Sequence, residues 1–162
     1  MAKEIERKFL LRSEAWRADA GAGTPYQQGY LSTDKARTVR VRLAGSRGFL
    51  TVKGPTAGAT RDEFEYEIPE ADARAMIERL CERLVVKTRH LVAHRGHTWE
   101  IDVFHGANEG LVVAEIELAS EDEEFARPEW AGAEVTHDPR YFNANLAREP
   151  FSSWTEGGPP RL

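Results

Sequence analysis

The chain has 162 residues, of which 41% are hydrophobic and 30% charged, and its formal net charge is -5. This composition is typical of one soluble globular domain, and no apolar run reaches the roughly 18 residues of a membrane helix. The acidic balance argues against general nucleic-acid binding, which favours basic surfaces. A single cysteine excludes an internal disulfide, and the strand pattern at the N-terminus leaves no room for a signal peptide, so we predict a cytoplasmic protein.

The first half of the chain alternates with the period of two that is typical of β-strands. The opening stretch EIERKFLL places Glu4, Glu6 and Lys8 on one face and largely apolar residues on the other. A segment rich in small residues, 18–25, predicts a loop. Further strands are predicted over residues 27–32, 38–44, 49–54 and 61–68.

The second half begins with a change of period. Apolar residues recur at helical spacing after Pro69 and predict a helix over residues 70–84. Strands are then predicted over 85–93, 97–104 and 111–118. Ser120 with Glu123 forms a capping-box pattern that predicts a short helix, and Asp138 followed by Pro139 predicts another over 140–148. Residues 151–162 are expected to form a flexible C-terminal tail.

The predicted strands share an unusual feature: one face of each is dense in charge. Acidic positions are Glu4, Glu6, Glu63, Glu65, Glu67, Glu100, Asp102, Glu115 and Glu117, and basic positions are Lys8, Arg40, Arg42, Lys53, Arg61, Lys87 and Arg89. A single pair of this kind is usually a solvated sheet face, but neighbouring like charges are unfavourable without a partner. The acids therefore indicate metal cations, and the bases indicate a polyanion.

The opposite faces of the same strands are apolar and need cover, which few helices can provide. A closed antiparallel barrel with charge inside, apolar residues outside and helices on the outer wall satisfies both faces. A charged lumen is costly to desolvate unless its charges pair or bind ions. Nine carboxylates against seven cations would repel a phosphate polyanion, and two divalent cations such as Mg²⁺ or Mn²⁺ would reverse that sign.

The ordered set of charged motifs resembles the CYTH superfamily, the triphosphate tunnel metalloenzymes. The resemblance begins with E-x-E-x-K at Glu4, Glu6 and Lys8 and covers almost the whole chain. It continues through Gly29-Tyr30-Leu31, Arg40-x-Arg42, Thr51-Val52-Lys53-Gly54, Arg61 with Glu63, Glu65 and Glu67, Lys87-x-Arg89, Glu100-x-Asp102 and Glu115-x-Glu117. The C-terminal PEWAGAEVTHDPRYFNANLA is similar to the ending of short bacterial members.

This resemblance implies an α+β protein whose domain, residues 1–150, is a closed eight-stranded antiparallel β-barrel enclosing a tunnel. Known members include inorganic triphosphatases, thiamine triphosphatases and class IV adenylyl cyclases, and short bacterial members are most often tripolyphosphatases. We therefore expect metal-dependent hydrolysis of tripolyphosphate to pyrophosphate and phosphate. The alternatives are a cyclase or thiamine triphosphatase and, less favoured, a non-catalytic binder of polyphosphate or nucleotide.

The resemblance also implies roles for individual residues. Phosphate oxygens would be held by Lys8, Arg40, Arg42, Lys53, Lys87 and Arg89. Two Mg²⁺ or Mn²⁺ ions would be held by Glu4, Glu6, Glu115 and Glu117, with Asp102 and Glu63 or Glu65 in or near that shell. Lys8 or Lys87 is the candidate base, and Tyr30 is expected to orient Lys8. The alternative is a metal-bound hydroxide with no lysine base. The expected partner is a small-molecule triphosphate, and an outer wall with few helices favours a homodimer.

Overall fold

A computed structural model describes residues 3–154, and within that range the chain forms nine β-strands and two short α-helices. The strands are β1 (Lys3–Leu11), β2 (Thr24–Ser32), β3 (Thr38–Ala44), β4 (Arg47–Lys53), β5 (Thr60–Ile68), β6 (Leu84–His94), β7 (His97–Phe104), β8 (Val112–Glu117) and β9 (Ala131–Glu134). The helices are α1 (Glu70–Leu80) and α2 (Asn143–Arg148), and the same range also contains four short 3₁₀ helices. Neither α-helix combines the length and the apolarity of a membrane-spanning segment.

The strands close into an antiparallel barrel. The order is β5-β4-β3-β2-β6-β7-β8-β1, and the ring closes because β1 also pairs with β5, where Glu4 lies opposite Arg61. Strand β9 lies outside this ring of eight and pairs with β1 alone. The predicted closed eight-stranded antiparallel barrel is confirmed.

Apolar side chains face outward from the barrel and are covered by the segments between strands. Phe9, Trp99 and Ile116 on β1, β7 and β8 pack with Trp16 of a 3₁₀ helix and with Trp130. On the other side, α1 covers β3. Its residues Ala73 and Ile77 bury Val41 and Leu43. The charged faces therefore turn inward, as the alternation of the sequence predicts.

The C-terminal segment closes one end of the barrel. Phe104 and Val113, at the ends of inward-facing rows, pack against Tyr141, Leu146 and Phe151. Phe151 is buried and Trp154 packs on Tyr141, so the predicted tail is part of this packing as far as Trp154. The rest of the predicted tail, residues 155–162, lies outside the described range.

Three predicted helices differ from the structure. Helix α1 ends at Leu80 instead of residue 84, because Leu84 pairs with Gly29 as the first residue of β6. The acidic segment after Ser120 is not helical, since the Glu123 carboxylate binds His97 and the amide of Ala119. The predicted helix 140–148 is split into a 3₁₀ helix and α2 by an extended residue at 142.

Candidate functional site

The charged inner face of the barrel lines one cavity of about 710 Å³. It brings together the predicted residues Glu4, Glu6, Lys8, Arg40, Arg42, Lys53, Glu63, Glu65, Lys87, Arg89, Glu115 and Glu117, as well as Glu100 and Arg61. Glu67 lies on the same face of β5 as Glu63 and Glu65, but it is exposed and outside the cavity lining, where it pairs with Arg47 at 2.8 Å. The inner charges are not mixed at random, and they divide into two walls of opposite sign.

The acidic wall consists of Glu4 and Glu6 on β1, Glu100 on β7, and Glu115 and Glu117 on β8. Antiparallel pairing places Glu6 directly opposite Glu117 and Glu100 directly opposite Glu115. Burial and the nearby carboxylates of Glu100 and Glu6 raise the pKa of Glu117 to about 7. Burial and Glu115 also raise the pKa of Glu6. The acidic wall is therefore short of positive charge.

Two lysines lie against the acidic wall and relieve part of this repulsion. The ammonium nitrogen of Lys8 is 2.7 Å from Glu115 and 3.3 Å from Glu6. Burial opposes the charge on Lys8, but Glu115 and Glu6 outweigh it and raise the pKa of Lys8 above its usual value. Lys53 lies 2.7 Å from Glu4. Lys8 is therefore protonated at neutral pH.

The carboxylates of β5 lie beside these lysines and the basic wall. Glu63 is 3.3 Å from Lys53 and hydrogen-bonds Glu4, whose pKa is raised first by burial and also by this contact. Glu65 accepts from Thr51 at 2.9 Å. Glu63 thus extends the group of carboxylates formed with Glu4, whereas Glu65 is held by the Thr51 hydroxyl and, at 3.4 Å, by Arg40.

The basic wall consists of Arg40 and Arg42 on β3, and Lys87 and Arg89 on β6. Its counterion is Asp102, which is fully buried and receives Lys87 at 2.7 Å and Arg89 at 2.8 and 2.9 Å. Burial lowers the pKa of Lys87 to about 7, against the attraction of Asp102 and with the repulsion of Arg89 and Arg42. The basic wall is therefore short of negative charge.

The β3 arginines have weaker partners than Lys87 and Arg89. Arg40 donates to Thr51 at 3.2 Å and to Glu65 at 3.4 Å, and its buried Nε has no hydrogen-bond partner among the residues that the structure describes. Arg42 has no ion pair with any carboxylate within residues 3–154, and its Nε donates to the Gln28 side chain at 2.9 Å. Burial and the nearby Arg40 and Arg89 lower the pKa of Arg42 to about 10. The donors of these arginines face the cavity without strong internal competition.

The structure corrects two predicted placements. The Tyr30 hydroxyl lies 2.9 Å from the Gln28 amide nitrogen and not against Lys8, because Tyr30 is on β2 and Lys8 is held by β1 and β8 carboxylates. Asp102 does not line the cavity, since both of its oxygens bind cations of the basic wall. The same spacing in Glu100-x-Asp102 thus produces one cavity-lining carboxylate and one buried counterion.

Three uncharged residues belong to the site and were not predicted. Tyr26 and Gln28 face inward from β2, in the same alternation as Tyr30. Asn143, the first residue of α2, accepts from Lys87 at 2.9 Å and from Gln28 at 3.2 Å. Tyr26 was missed because the predicted strand began at residue 27 and did not include it. Gln28 and Asn143 were missed because the site was predicted from charged residues and both are uncharged.

The donor set of the acidic wall fits a hard divalent cation in its chemistry. Its members are oxygen ligands, and burial together with their mutual repulsion raises the pKa values of Glu6 and Glu117. Glu117 has no cationic partner in the described range. In residues 3–154, no three acidic, histidine or cysteine side chains are already gathered as a preformed metal site. Lys8 and Lys53 hold some of these oxygens instead.

Comparison with known proteins matches this architecture. The family model for the CYTH domain matches residues 2–149. The chain is 48% identical over 157 residues to an inorganic triphosphatase of Acetivibrio thermocellus, covering 96% of this chain and 100% of the relative. It is 36% identical over 148 residues to an inorganic triphosphatase of Nitrosomonas europaea, covering 89% and 96%. The solved structure of the inorganic triphosphatase NE1496 superposes with a TM-score of 0.64 at 35% identity, covering 91% of this chain and 95% of that one.

Proposed function

The chain belongs to the CYTH domain family, and on that premise we propose that it is a metal-dependent triphosphatase that hydrolyses inorganic tripolyphosphate to pyrophosphate and phosphate in the lumen. The observation that carries this proposal is the pairing of two facing walls of opposite charge, each incompletely neutralised. A triphosphate is a polyanion that travels with divalent cations, so it satisfies both walls at once. Two relatives that match nearly their whole length are inorganic triphosphatases, which supports the choice of substrate.

Phosphate oxygens are held by the basic wall together with the two lysines of the opposite side. Arg42 and Arg40 offer donors that no strong internal partner occupies. A guanidinium can bind phosphate oxygens through two parallel hydrogen bonds, which sets both position and orientation. Lys8 and Lys53 act as point charges when the substrate draws them from their carboxylates.

The acidic wall is the proposed place of the divalent cation. Glu4, Glu6, Glu115 and Glu117 would hold it, with Glu63 and Glu65 beside them, and the proposed number is two ions of Mg²⁺ or Mn²⁺. Such a cation, when bound, neutralises triphosphate charge and acts as a Lewis acid. Asp102 is assigned instead to the basic wall, because Lys87 and Arg89 already occupy its oxygens.

Lys87 is the better candidate for accepting a proton from the attacking water. Its pKa is lowered to about 7 by burial, whereas the pKa of Lys8 is raised by Glu115 and Glu6 in spite of burial. A general base works best when its pKa is near the working pH. Asn143 and Asp102 accept hydrogen bonds from the Lys87 nitrogen and fix its position. Tyr30 is linked to Lys87 indirectly, because Gln28 donates both to the Tyr30 hydroxyl and to Asn143.

A substrate panel tests this function. Phosphate release is measured on tripolyphosphate, ATP and thiamine triphosphate with Mg²⁺ or Mn²⁺, and with a chelator as control. We expect tripolyphosphate to have the highest kcat/KM and the chelator to abolish release. Preference for thiamine triphosphate would assign a thiamine triphosphatase, cyclic AMP from ATP would assign a cyclase, and binding without turnover would assign a polyphosphate binder.

We also propose a cytoplasmic location, a homodimer and the lack of nucleic-acid binding. Exposed apolar side chains on the outer wall, Phe64 and Tyr66 of β5 among them, support self-association. Light scattering after size exclusion gives the mass in solution, and a monomer at micromolar concentration would contradict the dimer.

A further inference from the structure

The geometry points to a role for two uncharged residues of β2: we propose that Gln28 and Tyr26 are positioning residues that hold Arg42 ready for the substrate. This inference rests on the proposed function, since it names the residues that support Arg42 within the phosphate clamp, the set of cations proposed to bind phosphate oxygens. Neither residue is charged, so neither competes with the substrate for Arg42. Both point inward from β2 and lie beside the arginine that they hold, Tyr26 in the cavity lining and Gln28 fully buried.

The orientation of Gln28 is set by its own hydrogen bonds. Its side chain is fully buried, and its amide nitrogen donates to the Tyr30 hydroxyl at 2.9 Å and to Asn143 at 3.2 Å. With both amide hydrogens used, the carbonyl oxygen must face Arg42, whose Nε donates to it at 2.9 Å. Gln28 therefore fixes the plane of the guanidinium from its inner edge.

Tyr26 holds the same guanidinium by its face. The ring centroid of Tyr26 is 4.9 Å from the guanidinium carbon of Arg42 and also 4.9 Å from that of Arg89. A cation over an aromatic face is attracted by the negative face of the ring, most strongly where water is excluded. One ring thus stabilises two neighbouring cations that would otherwise repel each other.

Neutral support distinguishes Arg42 from four other cations of the lumen, although Arg61 is also held by neutral oxygens, those of Gly54 and Thr38. Lys8, Lys53, Lys87 and Arg89 each contact a carboxylate at 2.7 or 2.8 Å, so a phosphate must displace or share that partner. Arg42 has no such partner within residues 3–154, and its terminal nitrogens keep their donors. Gln28 and Tyr26 orient the Arg42 guanidinium but do not neutralise its charge, so the guanidinium is pre-organised to bind an anion.

The first experiment compares Gln28 with its neighbour on the same strand. Gln27 is exposed and faces outward, so Gln27→Leu is a matched control for Gln28→Leu. With Mg²⁺ saturating, we expect Gln28→Leu to raise KM for tripolyphosphate about fivefold, with kcat changed less, and Gln27→Leu to leave KM as in the wild type. Equal KM values for the two variants would overturn the proposal.

A double-mutant cycle separates positioning from a general structural effect. In an Arg42→Ala background, Gln28→Leu should raise KM further by less than about twofold, because its effect acts through Arg42. A rise of the same size in both backgrounds would overturn the proposal. Gln28→Glu keeps the shape of the side chain but gives Arg42 an anionic partner. We therefore expect its KM to exceed that of Gln28→Leu. A wild-type KM in Gln28→Glu would show that an uncharged partner for Arg42 is not required.

Tyr26 provides a second test that does not depend on the folding of Gln28 variants. Tyr26→Leu should raise KM about threefold, and Tyr26→Phe should restore most of the loss, because the ring and not the hydroxyl faces the cations. Titration calorimetry of a non-hydrolysable imido analogue of tripolyphosphate, with Mg²⁺ saturating, measures the same ratios as Kd without turnover. If the wild type binds but does not hydrolyse tripolyphosphate, the proposed function fails while these Kd ratios still decide the positioning role. Kd values that are equal in all variants, or no binding by the wild type, would overturn it.

Discussion

The two walls of the lumen are built from the same kind of strand, yet each is neutralised in a different way. On the acidic wall, Lys8 and Lys53 reach across to Glu115 and Glu4, and Glu117 is left without a cation in the described range. On the basic wall, buried Asp102 binds two cations from behind, and Arg42 is left with a glutamine and a tyrosine. Each wall thus keeps one member whose charge has no internal partner, and these two members mark where a cation and an anion are expected.

The largest expected effect comes from removing the buried counterion. Asp102→Asn leaves the buried charge of Lys87 without a carboxylate partner in the described range and leaves Arg89 with Glu100 at 2.8 Å. Breaking a buried pair costs about 3–5 kcal/mol. Urea denaturation of the metal-free protein should show a loss of that size in the free energy of unfolding. Arg42→Ala, which breaks no ion pair, is the comparison and should lose far less. Equal losses would mean that the two sides of the basic wall are not supported differently.

The second prediction concerns the unpaired carboxylate of the acidic wall. Glu117→Gln should lower kcat/KM for tripolyphosphate by at least about a hundredfold, because a proposed ligand of the divalent cation is lost. Glu67→Gln is the matched control, since Glu67 shares the strand parity but pairs with Arg47 outside the cavity lining. Steady-state kinetics at several Mg²⁺ concentrations measures both. Unchanged turnover in Glu117→Gln would remove this residue from the metal assignment.

Removal of the unpaired cation should have a smaller effect, of a different kind. Arg42→Ala should raise KM for tripolyphosphate by about thirtyfold, which corresponds to the loss of a charge-assisted hydrogen bond, with a smaller change in kcat. The split between KM and kcat distinguishes the phosphate clamp from the acidic wall. A variant with wild-type KM would show that the clamp does not use Arg42.

The smallest predicted effect is a pH dependence of stability in the metal-free protein. The pKa of Glu117 is raised from 4.5 to about 7 by burial and by Glu100 and Glu6, so the folded state binds its proton more tightly than the unfolded state. Linkage then makes this group cost stability progressively as pH rises from about 4.5 to about 7, and the cost is complete above that range. Because Glu117 is partly exposed, solvent screening reduces the expected cost to about 1 kcal/mol.

Glu117→Gln removes that cost and should stabilise the metal-free protein at pH 8 but not at pH 4. Thermal unfolding with a chelator present measures the difference. Glu67→Gln should show no such gain, because Arg47 lowers the pKa of Glu67. A loss of stability in Glu117→Gln at pH 8 would mean that this carboxylate has a favourable partner in the folded state.

Much of the barrel could be predicted because alternation along a strand determines which side chains share a face. Glu4, Glu6 and Lys8 were placed on the lumen side by that pattern, and the structure brings them to the cavity. Asp102 could not be distinguished from Glu100 in this way, since its burial depends on the register that places it opposite Arg89. The segment after Ser120 carried a helix signal, but contacts with His97 and the amide of Ala119 compete for its Glu123 side chain.

The uncharged part of the site was the least visible in the sequence. Gly21 and Gly23 favoured a loop up to Pro25, whereas β2 begins at Thr24 and its second residue is that proline. Tyr26 therefore lay at the margin of the predicted strand. Gln28 and Asn143 meet only because α2 packs against the barrel end, a contact between residues that are 115 positions apart.

The central claim is that both walls act on one triphosphate, and a crystal structure with tripolyphosphate and Mg²⁺ tests it most directly. The account predicts phosphate oxygens within hydrogen-bond distance of Arg42 and the other cations of the basic wall, and Mg²⁺ on carboxylates of the acidic wall that include Glu117. Tripolyphosphate bound outside the lumen, or inside it without contact with Arg42 and with Mg²⁺ away from the acidic wall, would contradict the account.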